Sequence, residues 1–239
     1  SSAIQSVTVN GTALGNSDYT VNTPGTGTNT NVGNGTVMIT GTGNYKGTAS
    51  QQFTITAADV STATITLNPT SYAYTGSTIT PTIQSVVAGG RTLVANTDYS
   101  VDVPATGTNT NVGTGTLGIT GTGNYTGSAS QTFTITRVTL TEDMFVAIAT
   151  KEYTGSAITL ADADITTSYN SNPLVFGTDY TILGYQANTE AGNASVTFEG
   201  AGNFSGQVTK TFVIARDPLT ANMFTIADTT YTGSAITLP

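Results

Sequence analysis

Three aspartates, Asp18, Asp98 and Asp179, each stand directly before a tyrosine and recur at spacings of 80 and 81 residues. A carboxylate can act as acid, base or nucleophile, but that work needs a matched partner. The chain has no His and no Cys. The usual base near neutral pH and the thiol nucleophile are therefore missing. No Gly-x-Ser-x-Gly elbow occurs either. Each of the three aspartates follows a polar turn and opens a strand-like run. They are expected to accept backbone N–H bonds within their own turns.

Two local carboxylate pairs, Glu142 with Asp143 and Asp162 with Asp164, suggest calcium. Calcium takes roughly six to eight oxygens, usually from spaced Asp, Asn and backbone groups. Neither pair recurs elsewhere, and the positions matching Glu142-Asp143 further on are Ala221-Asn222. The pairs read as solvated charge. A Lys–Asn isopeptide cross-link would need Lys at one fixed position of each unit. Lys46 aligns with Thr126 and Ser205, Lys151 with Tyr72, and Lys210 with Gln131. The expectation is a chain with no catalytic residue, no metal and no cofactor, and not an enzyme.

What must position these residues is a repeat. Gly41-Thr42-Gly43-Asn44-Tyr45 returns as Gly121-Thr122-Gly123-Asn124-Tyr125 and, altered, as Gly200-Ala201-Gly202-Asn203-Phe204. Phe53-Thr54-Ile55 returns as Phe133-Thr134-Ile135 and Phe212-Val213-Ile214. Tyr74-Thr75-Gly76 returns as Tyr153-Thr154-Gly155 and Tyr231-Thr232-Gly233. A period of about 80 residues exceeds the roughly 20–45 of a solenoid rung and can enclose its own core. The division expected is 1–57, a repeat lacking its first strands; 58–136 and 137–215, complete repeats; and 216–239, the start of a fourth.

Within a repeat, short runs alternate Thr with aliphatic residues and are separated by Gly- and Asn-rich turns. In the second repeat, strands are expected over 62–67, 79–83, 91–94, 98–103, 115–120 and 129–136. Tyr99, Val101 and Val103 should share a face, Gly89-Gly90 should form a hairpin, and Phe133 and Ile135 should point inward. Thr141-Glu142-Asp143-Met144 could cap one helical turn. The loops 26–33 and 106–113 read alike, Thr-Gly-Thr-Asn-Thr-Asn-Val-Gly, and suggest exposed hairpin edges. The fold class expected is all-β, tandem Ig-like β-sandwich domains of about 80 residues. A β-grasp-like unit is the alternative.

Charge is sparse. Only 8% of residues are charged, and 14 acidic against 6 basic give a net −8. The basic residues are scattered singly, which disfavours nucleic acid and anionic membrane surfaces. No apolar run is long enough for a membrane span, so no direct membrane insertion is expected.

The order Tyr-Thr-Gly, Asp-Tyr, Val-Gly-Thr-Gly-Thr, Gly-Thr-Gly-Asn-Tyr-Thr-Gly and Phe-Thr-Ile resembles the tandem Ig-like, MBG-type repeats of large bacterial cell-surface adhesins. The resemblance covers essentially the whole chain. It implies an extracellular stalk that projects a head, or a repetitive extracellular filament. An adhesion module binding a glycan or host protein is the other reading, with the third repeat, the most divergent, as its place.

The repeats are cut out of phase. Ile4-Gln5-Ser6-Val7 aligns with Ile83-Gln84-Ser85-Val86, and Tyr231 to Pro239 matches a segment that the first repeat lacks. Trimming explains this, as does a head-to-tail partnership of the chain with itself or with neighbouring repeats. In the second case Tyr231, Thr232, Gly233, Ile236 and Leu238 form a candidate intermolecular strand.

Overall fold

The computed structural model describes residues 4–22, 28–102, 104, 107–220, 224–231 and 233–237. These hold twenty strands and two 3-10 turns, so the chain is all-β. It divides into two compact units, Ser1–Thr136 and Arg137–Pro239.

The first unit opens with the hairpin β1 (Thr8–Val9) and β2 (Thr12–Ala13). The three-stranded sheet β3 (Tyr19–Val21), β4 (Gly33–Gly41) and β5 (Thr48–Ile55) follows. The second repeat adds β6 (Ala58–Asp59), β7 (Thr64–Leu67), β8 (Ser71–Ala73), β9 (Ile83–Ala88), β10 (Arg91–Thr92), β11 (Tyr99–Val101), β12 (Gly113–Gly121), β13 (Tyr125–Thr126) and β14 (Ser128–Thr136).

The second repeat is a two-layer sandwich. One sheet runs β10-β9-β7 and the other β11-β12-β14-β8. The first segment serves both layers: β7 pairs antiparallel with β9, and β8 pairs parallel with β14. The chain changes layer at the cis peptide Asn68–Pro69. Period-two alternation drives this packing. Ile65, Leu67, Val86 and Ala88 of one layer meet Leu117, Ile119, Phe133 and Ile135 of the other, all buried. Gly115 lies opposite Phe133 in the β12–β14 register. A Cβ there would run into the Phe133 ring, so the glycine leaves room for the aromatic side chain. Gly89 and Gly90, with φ of 54° and 76°, close the expected β9–β10 hairpin.

Two expected strands differ. Residues 79–82 are irregular, although Ile79 is buried; its N–H goes to the Asn109 carbonyl at 2.9 Å rather than into a ladder. On β11 only Tyr99 enters the core, at 5% exposure, while Val101 is 38% exposed. Val103 lies outside the described residues.

The second unit contains β15 (Val138–Thr139), β16 (Lys151–Glu152), β17 (Tyr180–Gln186), β18 (Gly192–Gly200), β19 (Phe204–Ser205) and β20 (Gln207–Ala215). Its main sheet, β16-β20-β18-β17, reproduces that of the second repeat, again with the first strand parallel to the last. The opposite layer is shorter. A 3-10 turn at Glu142–Met144 stands where one helical turn was expected. A bridge between Phe145 and Thr167 follows it. Aromatic packing replaces aliphatic: Phe145 stacks on Phe198 at 4.5 Å and meets Tyr180 edge-on at 5.4 Å. No α-helix occurs among the described residues, so the β-grasp-like alternative is not the arrangement found. No described helix is long and apolar enough to cross a membrane.

Candidate functional site

The recurring aspartates act on the backbone. Asp18 accepts from the N–H of Gly15, Asp98 from Val94 and Asp179 from Val175, each at 2.9 Å. The carbonyls of the same three residues accept from Thr42, Thr122 and Ala201 N–H, each at 2.9 Å. Each aspartate thus ties its turn to the Gly-x-Gly-Asn corner of its repeat. The corner closes on itself, with Gly41, Gly121 and Gly200 donating to the carbonyls of Gly47, Gly127 and Gly206 at 2.9 Å. Gly121 is required by proximity, because a Cβ would lie 2.8 Å from the Thr126 nitrogen. Gly123 is required by conformation, at φ 63°.

The corner also joins repeats. β13 of the corner pairs parallel with β6, the segment entering the second repeat. Asn124 then reaches the first repeat: its Oδ1 accepts the Val32 N–H at 2.8 Å, and its Nδ2 donates to Asn31 Oδ1 at 3.0 Å. Both amide atoms of one side chain are spent on the preceding repeat's loop. Beside this contact lies a polar cleft of about 830 Å³, lined by Asn31, Asp59, Arg91 and Asn124 among others. Asp59 accepts from the Ser61 N–H and hydroxyl, both at 2.8 Å, which holds its carboxyl below the usual value of 3.8.

A third recurrence was not read as functional from the sequence. Asn29 and Asn109, both left-handed, clamp the start of β4 and of β12. Each donates to a carbonyl, Thr36 or Thr116, at 2.8 Å and accepts the N–H of the same residue at 2.9 Å. In the later repeats the main-chain carbonyl of this asparagine receives the Tyr-Thr-Gly segment. Ile79 N–H donates to Asn109 and Ile158 N–H to Asn188, at 2.9 and 2.7 Å. The signal in the sequence was the recurrence at positions 29, 109 and 188.

In the first repeat that place is an open groove of about 950 Å³. Ile4, Asn29, Val37, Ile39, Phe53 and Ile55 are among its lining residues. Val37, Ile39, Phe53 and Ile55 are half-buried there, whereas their counterparts Leu117, Ile119, Phe133 and Ile135 are 0–3% exposed. No described residue supplies a counterpart of β8 to this sheet, or of β7 to the β1–β2 hairpin.

Of the candidate intermolecular strand, Tyr231, Gly233 and Ile236 are described, and all three are exposed and outside any strand. Thr232 and Leu238 lie outside the described residues. Gly233 has φ 76°, the value of Gly155 and near the 81° of Gly76, so this glycine is left-handed in all three copies.

The carboxylate pairs do not converge. Asp164 forms an ion pair with Lys151 and accepts the Ala161 N–H at 2.9 Å; the Lys151 ammonium is the main cause of its lowered pKa. Asp143 is lowered chiefly by the Thr141 hydroxyl. No group of three or more His, Cys, Asp or Glu that could hold a metal occurs among the described residues. Lys210 donates to the Glu142 carbonyl at 3.2 Å. Comparisons with protein-family models, with curated proteins and with solved structures found no match for this chain.

Proposed function

We propose that the chain is a structural repeat region of an extracellular bacterial surface protein, acting as a stalk or spacer, and that it catalyses no reaction. The observation that carries this reading is the Asn124 joint. Asn124, a residue of the motif that recurs in every repeat, spends both its amide atoms on hydrogen bonds to the preceding repeat. The aspartates that recur with it are likewise spent on backbone N–H groups. Side chains that could do chemistry are consumed in holding each repeat to itself and, at Asn124, the second repeat to the first. That economy suits a chain whose task is distance and orientation. A spacer needs solubility without a committed partner, and the sparse, net acidic charge supports that. The bacterial surface location rests on the repeat resemblance.

The test is antibody labelling of intact producing cells, with surface proteolysis in parallel. Labelling without permeabilisation, lost after protease treatment, is the expected result. A signal that requires permeabilisation overturns the reading.

A further inference from the structure

Three polar groups in the cleft beside the Asn124 joint are not consumed by the fold. The Arg91 guanidinium and the Tyr125 hydroxyl have no hydrogen-bond or ion-pair partner among the described residues. Asp98 gives Oδ2 to the Val94 N–H and keeps Oδ1 without a partner. All three residues line the cleft of about 830 Å³. From this juxtaposition we propose that the cleft binds a neutral, hydroxyl-rich saccharide. The proposal goes beyond the stalk reading, which needs no ligand.

The fold does not need the arginine or the hydroxyl. Arg91 follows the Gly89-Gly90 turn and lies opposite Ala88. The same place is Thr12 in the first repeat, opposite Val9, and Asn172 in the third, opposite Tyr169. All three hairpins close, so the guanidinium is not what closes its own. Tyr125 packs, partly buried, against the core of the second repeat. Its counterpart in the third repeat is Phe204, 2% exposed and without a hydroxyl. The ring is therefore the structural requirement, and the hydroxyl is extra. Arg91, Asp98 and Tyr125 all belong to the second repeat.

Charge and hydrogen-bonding capacity select the ligand. The cleft holds one cation, Arg91, and two carboxylates, Asp59 and Asp98. An anion would meet the carboxylates and a cation the guanidinium, whereas a neutral ligand meets no like charge. The guanidinium only donates, Asp98 Oδ1 only accepts, and the Tyr125 hydroxyl does both. A sugar hydroxyl donates and accepts, so vicinal hydroxyls can satisfy all three groups at once. The planar fork of the guanidinium suits two adjacent oxygens. Val32 and Val94, 43 and 59% exposed, also line the cleft. With the Tyr125 ring they offer apolar surface to the C–H face of a sugar. The volume lies within the roughly 300–1,000 Å³ of small-ligand sites.

The full chain is titrated with cellotriose, maltotriose, mannotriose and triacetylchitotriose, followed by calorimetry and by amide chemical shifts. Trigalacturonate and the glucosamine trimer serve as the acidic and basic controls. At least one neutral trisaccharide is expected to bind with a Kd on the order of 1 mM or tighter. Neither charged trimer should bind as well, and the shifts should centre on Thr92, Asp98 and Tyr125. Arg91→Asn, which copies the third repeat, should weaken binding about tenfold, and Tyr125→Phe roughly threefold, with the urea midpoint unchanged. Arg91→Thr, which copies the first repeat, is a second variant should the first unfold. No binding by any of the four neutral sugars overturns the proposal. So do shifts centred elsewhere, a charged trimer that binds as tightly, or folded Arg91 variants that bind like the parent. Surface labelling reads none of these outcomes, so the stalk reading stands or falls separately.

Discussion

Replacing Asp98 by Ala removes the acceptor of the Val94 N–H and leaves that donor unpaired in its turn. The expected cost is about 1 kcal/mol, read from urea unfolding. Asp98→Asn should recover part of it, since the amide oxygen can still accept. A variant as stable as the parent would mean that the turn holds without its carboxylate. Tyr180 offers a pH-dependent counterpart. It is 1% exposed against Phe145 and Phe198, and burial, with a smaller contribution from the Asp162 charge, pushes its hydroxyl up to about 12 from 10.0. The folded state thus favours the neutral phenol. The associated stability is fully present below pH 10 and is lost as pH rises towards 12. Spectrophotometric titration should show one tyrosine ionising only as the second unit unfolds, and Tyr180→Phe should abolish that late step.

The joint between the first two repeats is made by an element, the Gly-Thr-Gly-Asn-Tyr corner, and tested through one residue. Asn124→Ala removes both hydrogen bonds to the 31–32 loop while leaving the corner's own closure at Gly121 and Gly127 in place. Spin labels on the first and second repeats should give a broader distance distribution in this variant, with the stability of the second repeat unchanged. An unaltered distribution would show that the β6–β13 pairing alone fixes the joint. The corner illustrates what was legible in the sequence. Its glycines and the aspartates' bonds within their own turns follow from local turn chemistry, and the alternating runs gave the sheets, whereas the tie from Thr122 N–H to the distant Asp98 carbonyl was not legible. The destination of Asn124 was not legible, because it bonds residues 92 and 93 positions away, and spacing carries no information on docking. The Asn29 and Asn109 clamps were hidden differently: each sits in a loop so rich in Thr and Asn that no one amide stands out. Residues 79–82 read as a strand by alternation, yet the Ile79 N–H goes to a loop carbonyl and the Thr82 N–H to the Tyr72 hydroxyl. The 3-10 turn at Glu142–Met144 was legible, since Thr141-Glu142-Asp143-Met144 read as one helical turn.

Across the whole molecule, the described residues leave the sheet of the first repeat less covered than that of the second. Amide exchange should be faster in β4 and β5 than in β12 and β14, because the first sheet's inner face is only half-covered. Equal protection in the isolated chain would contradict the open groove. The parallel pairing of β8 with β14, and of β16 with β20, has a further consequence. In each complete repeat an early strand lies beside the last one and points the same way. Tension between the two ends of such a repeat drags these neighbours past each other along their own axes. The cross-strand bonds, among them Tyr74 N–H to Thr136 O at 2.9 Å and Thr134 N–H to Thr70 O at 3.0 Å, then carry the load together and must break together. Antiparallel hairpin neighbours pulled from their open end would peel one bond at a time. Single-molecule pulling should find the second repeat resistant, and Tyr74→Pro, which deletes one shared donor, should lower its rupture force. The first repeat, with no such pair among its described residues, should yield earlier.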